Sequence, residues 1–286
     1  MAKRVSVVGS VNLDLMLRVA SLPYPGQTVL ASTSSYSPGG KGANQAVAAA
    51  RAGARVQFVG AVGDDAAADR LRAHLSANAV GLDHLTRVPG PSGSAVVVVD
   101  AGAENLIVVV PGANTHVSVG HAGAYDCDVL LTQLEIPVPT AVAAAREARS
   151  AGAIVMVNAA PSSKHSAVAE LAAVTDVVIA NEAEAAEWIW PTEHFVTTLG
   201  KRGARYTGID GDFVVTAPSV AAVDSAGAGD VFSGVLAANW PPEPGTPVER
   251  LQALRHACAA GALATLVHGA GNCAPDAEAI KAALSP

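Results

Sequence analysis

The chain has 286 residues, of which 50% are hydrophobic, 15% are charged and 4% are aromatic. This composition excludes disorder as a description of the whole chain, and it predicts a core of Ala, Val, Leu and Ile with few aromatic rings. The 18 basic and 25 acidic residues give a net charge of −7, which offers no electrostatic basis for binding nucleic acid or an anionic membrane. We therefore expect neither of these partners.

The cysteines and the apolar runs indicate the compartment. Cys127, Cys258 and Cys273 are odd in number and lack the spacing of a disulfide framework or a zinc site. The apolar run 5–8 is too short for the core of a signal peptide. The run 257–267 is shorter than the roughly 18 residues that a membrane span requires. We expect a cytoplasmic protein without a leader or a membrane span.

Short apolar runs alternate with alanine-rich stretches along most of the chain. The predicted strands are 4–9, 56–60, 129–134, 154–157, 177–180 and 195–199, and the predicted helices are 42–52, 66–79, 140–151 and 166–174. Such alternation predicts right-handed crossovers and one α/β domain whose parallel sheet is covered on both faces.

Two regions, 14–37 and 94–110, interrupt this alternation. They contain strand-like pieces at 15–19, 28–32, 95–99 and 106–110 without helices between them. The turn at 100–104 joins the last two pieces and predicts a hairpin. We interpret these pieces as a small antiparallel sheet inserted into the α/β domain.

The segment 224–234, DSAGAGDVFSG, is the strongest chemical signal in the sequence. Its glycines let the backbone approach a ligand, and the helix that follows offers unpaired N–H groups to an anion. The Asp230 carboxylate would repel that anion, but it is well placed to orient a hydroxyl that attacks it. The alternative is that Asp230 is an ordinary helix N-cap.

A second glycine-rich turn, SPGGKGANQA at 37–46, also leads into a helix. It is not a Walker A loop, because Lys41 is followed by glycine. Lys41 and Asn44 can present a cation and an amide to a polar ligand. The alternative is a flexible turn with a solvated lysine.

Other polar residues stand where predicted strands end. Asn12 and Asp14 are two apart in an extended segment, so both side chains face the same way and could hold vicinal hydroxyls. Glu135 follows a strand at the carboxyl edge of the sheet, where α/β sheets bind ligands. The simpler readings are a strand-end turn for the pair and an exposed loop carboxylate for Glu135.

The segments 181–184 and 197–203 suggest a nucleotide side to the site. Asn181 and Glu184 share a helix face that suits a hydrated Mg²⁺, although a helix N-cap with acidic first-turn residues fits equally well. TTLGKRG at 197–203 is a strand leading to a glycine turn that could admit a base or a phosphate; taken alone it is a β-turn. The histidines form no HxxH or HExxH pattern, which gives little support to metal-dependent hydrolysis.

Taken in order, GSVNLD, PGGKGANQAVAAARAG, QLE, NEAE, TTLGKRG and DSAGAGDVFSG closely resemble the ribokinase-like family of carbohydrate kinases. The resemblance runs from Val5 to about Pro275. It implies a three-layer α/β sandwich with a mainly parallel sheet and a small antiparallel lid at about 13–37 and 94–112. It also implies a single kinase domain over 1–286 and a homodimer that pairs through the lid.

The resemblance further implies ATP-dependent phosphorylation of D-ribose at O5, with Mg²⁺ and an activating K⁺. Asp230 matches the base that takes the proton from the sugar hydroxyl. The amides of Gly227, Ala228 and Gly229 match the anion hole of the family. The sugar-binding positions are Asn12, Asp14, Gly40, Lys41, Asn44, Glu135 and Asp230. The nucleotide positions are Asn181, Glu184, Thr198, Gly200, Lys201, Gly203, Gly229 and Cys258, with Glu184 also ordering Mg²⁺ through water. The K⁺ positions are Asp224, Ala226, Val267, Gly269 and Cys273.

Some positions depart from the family pattern. Only ten residues, 185–194, separate NEAE from the next strand, which leaves room for one short helix. Cys258 stands where His or Asn is common, and Cys273 stands where Ser is common. The alternatives are therefore a kinase for another sugar or a nucleoside, and a sugar-binding protein whose short crossover has disabled nucleotide binding.

Overall fold

A computed structural model describes residues 2–102, 104–120 and 123–284. The strands of this part of the chain are β1 (Arg4–Val8), β2 (Asn12–Arg18), β3 (Thr33–Gly39), β4 (Arg55–Val62), β5 (Gly81–Arg87), β6 (Ser94–Val99), β7 (Asn105–Val110), β8 (Val129–Gln133), β9 (Ile154–Asn158), β10 (Val177–Asn181), β11 (His194–Thr198), β12 (Ala204–Gly208) and β13 (Gly211–Val215). The helices are α1 (Lys41–Arg51), α2 (Ala66–Ala77), α3 (Val138–Ser150), α4 (Val168–Ala172), α5 (Glu182–Glu187), α6 (Ala228–Asn239), α7 (Pro247–Ala264) and α8 (Ala277–Ala283).

Within the described residues, nine strands form the main sheet in the order β13-β12-β11-β10-β9-β8-β1-β4-β5. The pairs from β11 to β5 are parallel, and β12 and β13 add an antiparallel edge. Parallel neighbours require crossovers, which the helices supply. All six strands predicted for this sheet are present.

Helices cover both faces of the main sheet. Alternate residues of β1 show the division, since Val5 and Val7 pack with α1, α2, α6, α7 and α8, whereas Val8 packs with α3 and α4 on the other face. Both cores consist almost entirely of aliphatic side chains and alanine, as the low aromatic content predicted. The three-layer α/β sandwich is thereby confirmed.

The smaller sheet has the order β3-β2-β6-β7. The outer pairs, β2 with β3 and β6 with β7, are antiparallel as expected, while the central pair of β2 and β6 is parallel. The strand predicted at 28–32 is wrong, because the chain there is irregular and pairing with β2 begins at Thr33. The predicted hairpin joins β6 to β7, although Ala103 of its turn lies outside the described residues.

Several elements were not predicted. β12 and β13 carry polar and glycine residues because they form a half-exposed edge, so they lack the apolar runs of the buried strands. The one short helix, α5, begins within NEAE at Glu182, so the short crossover at 185–194 holds only its last three residues before β11 begins at His194. In the described part of the chain, no helix combines the length and the apolar character that crossing a bilayer demands.

Candidate active site

Asp230 is the third residue of α6, and its helix begins in an unusual conformation. The N-cap is Gly227, whose φ of 79° lies in the left-handed region. A side chain there would also place its Cβ 2.7 Å from the Cα of Ala270. Asp230 is therefore not the N-cap of α6, and its carboxylate is directed at other elements.

The Asp230 carboxylate is buried and surrounded by donors from α1. Asn44 Nδ2 donates to Oδ2 over 3.1 Å, and Gln45 Nε2 donates to Oδ1 over 3.0 Å. Lys41 Nζ lies 4.0 Å from Oδ1, and the charge of Asp230 raises the pKa of that lysine. The carboxylate thus accepts hydrogen bonds from two amides and lies near one ammonium group.

Lys41 begins α1 directly after Gly40 and is tied to the end of β8. The Lys41 backbone N–H donates to Glu135 Oε2 over 3.0 Å, and Ser10 Oγ donates to the same oxygen over 2.5 Å. The glycine-rich turn at 37–46 is thus held against the carboxyl edge of the sheet. Lys41 is not the solvated lysine of the alternative reading, because its side chain is only 31% exposed and its ammonium lies near Asp230.

Asn12 and Asp14 lie on β2, next to the residues just described. Asn12 Oδ1 accepts from Asn114 Nδ2 over 2.8 Å, and Asp14 Oδ1 accepts from the Ala95 N–H over 3.0 Å. Burial, reinforced by the nearby charge of Glu135, raises the pKa of Asp14 to about 6. The residues predicted for sugar binding therefore lie close together as one polar group, which we call the polar cleft, namely Asn12, Asp14, Gly40, Lys41, Asn44, Glu135 and Asp230.

A cavity of about 400 Å³ lies on the other side of the α6 N-terminus. Six of the eight predicted nucleotide positions line it, namely Thr198, Gly200, Lys201, Gly203, Gly229 and Cys258. Burial raises the pKa of the Cys258 thiol to about 12, so this wall of the cavity is neutral. Among the described residues, the amides of Gly227 and Gly229 have no acceptor, whereas Ala228 N–H donates to Ser225 O over 3.3 Å.

Asn181 and Glu184 are the two nucleotide positions that do not line this cavity. They form a capping box at the start of α5, with hydrogen bonds of 2.8 and 2.9 Å between each backbone N–H and the other side chain. The N-cap reading is therefore correct for this conformation. Glu184 nevertheless raises the pKa of Lys41, which places its charge near the polar cleft.

The loops 224–226 and 267–273 meet beside the N-terminus of α6. Asp224 Oδ1 accepts from Ala226 N–H and Oδ2 accepts from Gly269 N–H, each over 2.9 Å. Cys273 Sγ lies 3.7 Å from Ala226 O, while Val267 is 44% exposed in the turn after α7. No group of three His, Cys, Asp or Glu side chains in the described residues is arranged to hold a metal. The possible metal ligands here are carboxylate and carbonyl oxygens, which suit a hard cation.

Five polar residues of the site were not identified from the sequence. They are Ser10, Gln45, Asn114, Gln133 and Asn158. Gln133 and Asn158 end the apolar strands β8 and β9, and Gln45 is buried on α1. A polar residue at the carboxyl end of a buried strand was the signal that could have found two of them.

Comparisons with known proteins agree with this geometry. The family model described as "pfkB family carbohydrate kinase" matches residues 2–277. Ribokinase from Bacillus subtilis is 33% identical over 99% of this chain and 100% of its own length. Deoxyribokinase from Salmonella typhi is 31% identical over 82% of this chain and 84% of its own length. A bifunctional ribokinase/ribose-5-phosphate isomerase A from Fructilactobacillus sanfranciscensis is 32% identical over 97% of this chain, which spans only 55% of that longer protein.

Solved structures resemble the whole fold. Ribokinase from Thermotoga maritima superposes with a TM-score of 0.88 and 28% identity, covering 99% of both chains. Arabidopsis thaliana ribokinase, complexed with ribose and ATP, superposes with a TM-score of 0.87 and 27% identity over 100% of this chain and 99% of its own. With a family model matched over nearly its whole length, the chain belongs to the pfkB family of carbohydrate kinases.

Proposed function

We propose that this chain is an ATP-dependent kinase that phosphorylates D-ribose at O5 and releases D-ribose 5-phosphate and ADP. The observation that carries the proposal is the position of Asp230. Its carboxylate is buried among donors of the polar cleft, and the neighbouring Gly229 lines the cavity of about 400 Å³. A base at that position can reach a hydroxyl on one side and a phosphate on the other.

In the proposed reaction, Asp230 accepts the proton of the 5-hydroxyl as O5 bonds to the γ-phosphorus. The bond between that phosphorus and the oxygen of ADP breaks, and its electrons remain on ADP. The free amides of Gly227 and Gly229 stabilise the negative charge on the transferred group, as an oxyanion hole does. Lys41, whose pKa Asp230 raises, keeps its positive charge beside the reacting atoms.

The polar cleft supplies the groups that recognise a small polyol. Asp14 and Glu135 offer carboxylate acceptors, and Asn44 and Lys41 offer donors. In this proposal the chain is one kinase domain over 1–286, and the segments 13–37 and 94–112 form a lid over the sugar. Closing it would exclude water from the phosphoryl group.

The donor sets fit the two metal ions that the family implies. Glu184 keeps Oε1 free of hydrogen bonds among the described residues, and Asn181 lies beside it, as water-mediated binding of Mg²⁺ requires. Bound Mg²⁺ would neutralise phosphate charge. Asp224 and the Ala226 carbonyl, with oxygens from 267–269, would hold K⁺. That ion would stiffen the loop that carries the anion-binding amides.

We also propose that two copies pair through the lid in the cytoplasm. All six residues of β7 are exposed, and five of them, 106–110, are apolar. An exposed apolar edge strand is typical of an interface that another strand covers. The three cysteines are buried free thiols, which suits a reducing compartment.

A substrate panel tests the proposed function directly. Purified protein is assayed for ADP release with D-ribose, 2-deoxyribose, ketohexoses and nucleosides, with Mg²⁺ and with or without K⁺. We expect the highest kcat/KM for ribose and activation by K⁺. A higher kcat/KM for deoxyribose would favour the second candidate function, a deoxyribose kinase, which the similarity to deoxyribokinase supports. Ribose binding by calorimetry without ATP binding would favour a silent sugar-binding protein.

The variant Asp230→Asn tests the base. Asparagine keeps the size of the side chain but cannot accept the hydroxyl proton, so we expect kcat to fall by roughly 10²- to 10⁴-fold with ribose affinity nearly intact. Calorimetry and steady-state kinetics measure the two effects separately. Turnover at the wild-type rate would refute the assignment.

A further inference from the structure

Gln45 makes contacts that the proposed reaction does not yet use. It is fully buried on α1, and its Nε2 donates to Asp230 Oδ1 and to Asn158 Oδ1, each over 3.0 Å. Its Oε1 accepts from Gln133 Nε2 over 2.7 Å. One amide therefore links the buried carboxylate to the ends of two central strands, β8 and β9.

The orientation of the Gln45 amide follows from its neighbours, because two of the groups that face it can only accept hydrogen bonds. A carboxylate has no proton to donate when ionised, and neither does a backbone carbonyl. Asn158 Nδ2 donates to the Ile179 carbonyl over 3.1 Å, so Asn158 must present its oxygen to Gln45. Gln45 thus faces two acceptors, which require its NH₂ group on that side. Gln133 in turn must donate to Gln45.

Gly9 provides the space for this chain of amides. A Cβ at Gly9 would lie 2.0 Å from Gln133 Oε1 and 2.9 Å from the Cα of Gly42. Any side chain at position 9 would therefore push Gln133 away from Gln45 or separate β1 from α1. The loop after β1 is thereby coupled to a carboxylate that it does not touch.

We propose that Gln45 is a positioning residue for the base: oriented by Gln133 and Asn158, its amide holds the plane of the Asp230 carboxylate and favours its ionised form. The hydrogen bond to Oδ1 stabilises the carboxylate before the hydroxyl proton arrives. It also prevents rotation of a group that must meet one hydroxyl in one direction. The inference rests on the proposed function of Asp230 as the base.

The test compares Gln45→Met with Gln133→Met. Methionine fills a similar volume but cannot donate, so Gln45→Met should lower kcat roughly 10- to 100-fold while KM for the sugar stays within about twofold. The acid limb of the plot of kcat/KM against pH should move about one pH unit upward, because the Asp230 carboxylate loses a hydrogen-bond donor. Gln133→Met, which touches Gln45 but not Asp230, should show both effects at a smaller size.

Gln57→Met on β4 is the matched control. Among the described residues, Gln57 Nε2 is buried without a hydrogen-bond partner, and Gln57 lies near the amino ends of the strands, so this variant should keep wild-type kinetics. If Gln45→Met does not fold, Gln133→Met and Gly9→Ala decide the matter. A change in KM alone, or a kcat and acid limb equal to those of the wild type, would overturn the inference.

A second measurement does not depend on the substrate. The Asp230 carboxyl carbon is titrated by NMR in the free protein and is assigned with Asp230→Asn. Its midpoint should lie higher in Gln45→Met than in the wild type, even if ribose proves not to be the substrate. Equal midpoints would overturn the inference while leaving the substrate panel to judge the proposed function.

Discussion

The pKa of Asp14 lies well above the ordinary value of an aspartate. Burial is the main cause of its pKa of about 6, and the neighbouring Glu135 raises it further, while the hydrogen bond from Ala95 opposes both. An Asp14 that is half protonated near pH 6 can accept sugar hydroxyls fully only above that value. Sugar binding should therefore depend on pH in a range where most aspartates stay ionised.

We expect KM for ribose to rise as the pH falls below 6, approaching a tenfold rise for each pH unit. Asp14→Asn should have a higher KM at pH 7.5 and lose most of this dependence, because the amide does not titrate. The measurement is KM from pH 5 to 8. A wild-type KM that is constant over that range would contradict the role of Asp14.

Stability provides an independent check on Asp14. Because its folded-state pKa is raised above the ordinary value of 3.8, the protonated form stabilises the fold below about pH 4, and this contribution is lost as the pH rises through 6. Asp14→Asn should therefore gain on the order of 1–2 kcal/mol of unfolding free energy relative to the wild type at pH 7.5. The difference should fall to about one fifth at pH 4, where the unfolded chain is still partly ionised at this position. Urea denaturation at both values measures it.

At the scale of single elements, the start of α6 depends on two glycines with different roles. Gly227 has a positive φ and no room for a Cβ, since Ala270 lies 2.7 Å from that point. Gly229 has nothing within 4 Å of an added Cβ and lines the cavity. The first glycine is required by the protein itself, and the second leaves space for a ligand.

This difference predicts opposite results for two alanine variants. Gly227→Ala should lose roughly 2–3 kcal/mol of stability and most of its activity, through backbone strain and the contact with Ala270. Gly229→Ala should unfold at the wild-type temperature or above it, but bind ATP more weakly. Thermal unfolding and ATP calorimetry separate the two effects. Wild-type ATP affinity in Gly229→Ala would contradict the assignment of the cavity.

The fold keeps a cavity of about 400 Å³ at the predicted nucleotide positions despite the short crossover at 185–194. α7, which lines the cavity, is fixed where it begins by buried Arg250, whose guanidinium donates to both carboxylate oxygens of Asp210. Trp188 and Trp190 pack edge to face with 5.2 Å between their ring centroids. Arg250 thus anchors the start of α7, and the two tryptophans pack within the crossover itself.

At the scale of the whole molecule, the prediction of a homodimer depends on the exposed strand β7. Ile107, at the centre of its apolar run, is 55% exposed, as is Val214 on β13 at the edge of the other sheet. The two positions allow the same substitution to be compared at equal exposure. Only the β7 edge belongs to the proposed interface.

We expect the wild type to sediment as a dimer. Ile107→Lys should weaken the dimer roughly tenfold or more, because it places a charge in an apolar contact. Val214→Lys should leave the dimer intact. Analytical ultracentrifugation at several concentrations measures all three proteins. A monomeric wild type at micromolar concentration, or equal effects of the two lysines, would contradict pairing through β7.

Local sequence patterns were enough to predict much of the fold. Buried parallel strands are continuous apolar runs, so β1, β4, β8, β9, β10 and β11 were identified from the sequence. β12 and β13, which form the antiparallel edge of the main sheet, have no such pattern, so they were missed, and β3 was placed too early. Their conformation is set by the strand beside them.

The sequence by itself determined the order of the elements, the glycine turns before α1 and α6, and the choice of Asp230, because each depends on residues close together along the chain. Only the tertiary structure decided that Gln45 holds the Asp230 carboxylate from 185 residues away, and that Asp14 is buried enough to have a pKa of about 6. These properties arise from burial and from contacts between distant segments. Spacing along a chain does not specify which distant side chains will share one cleft.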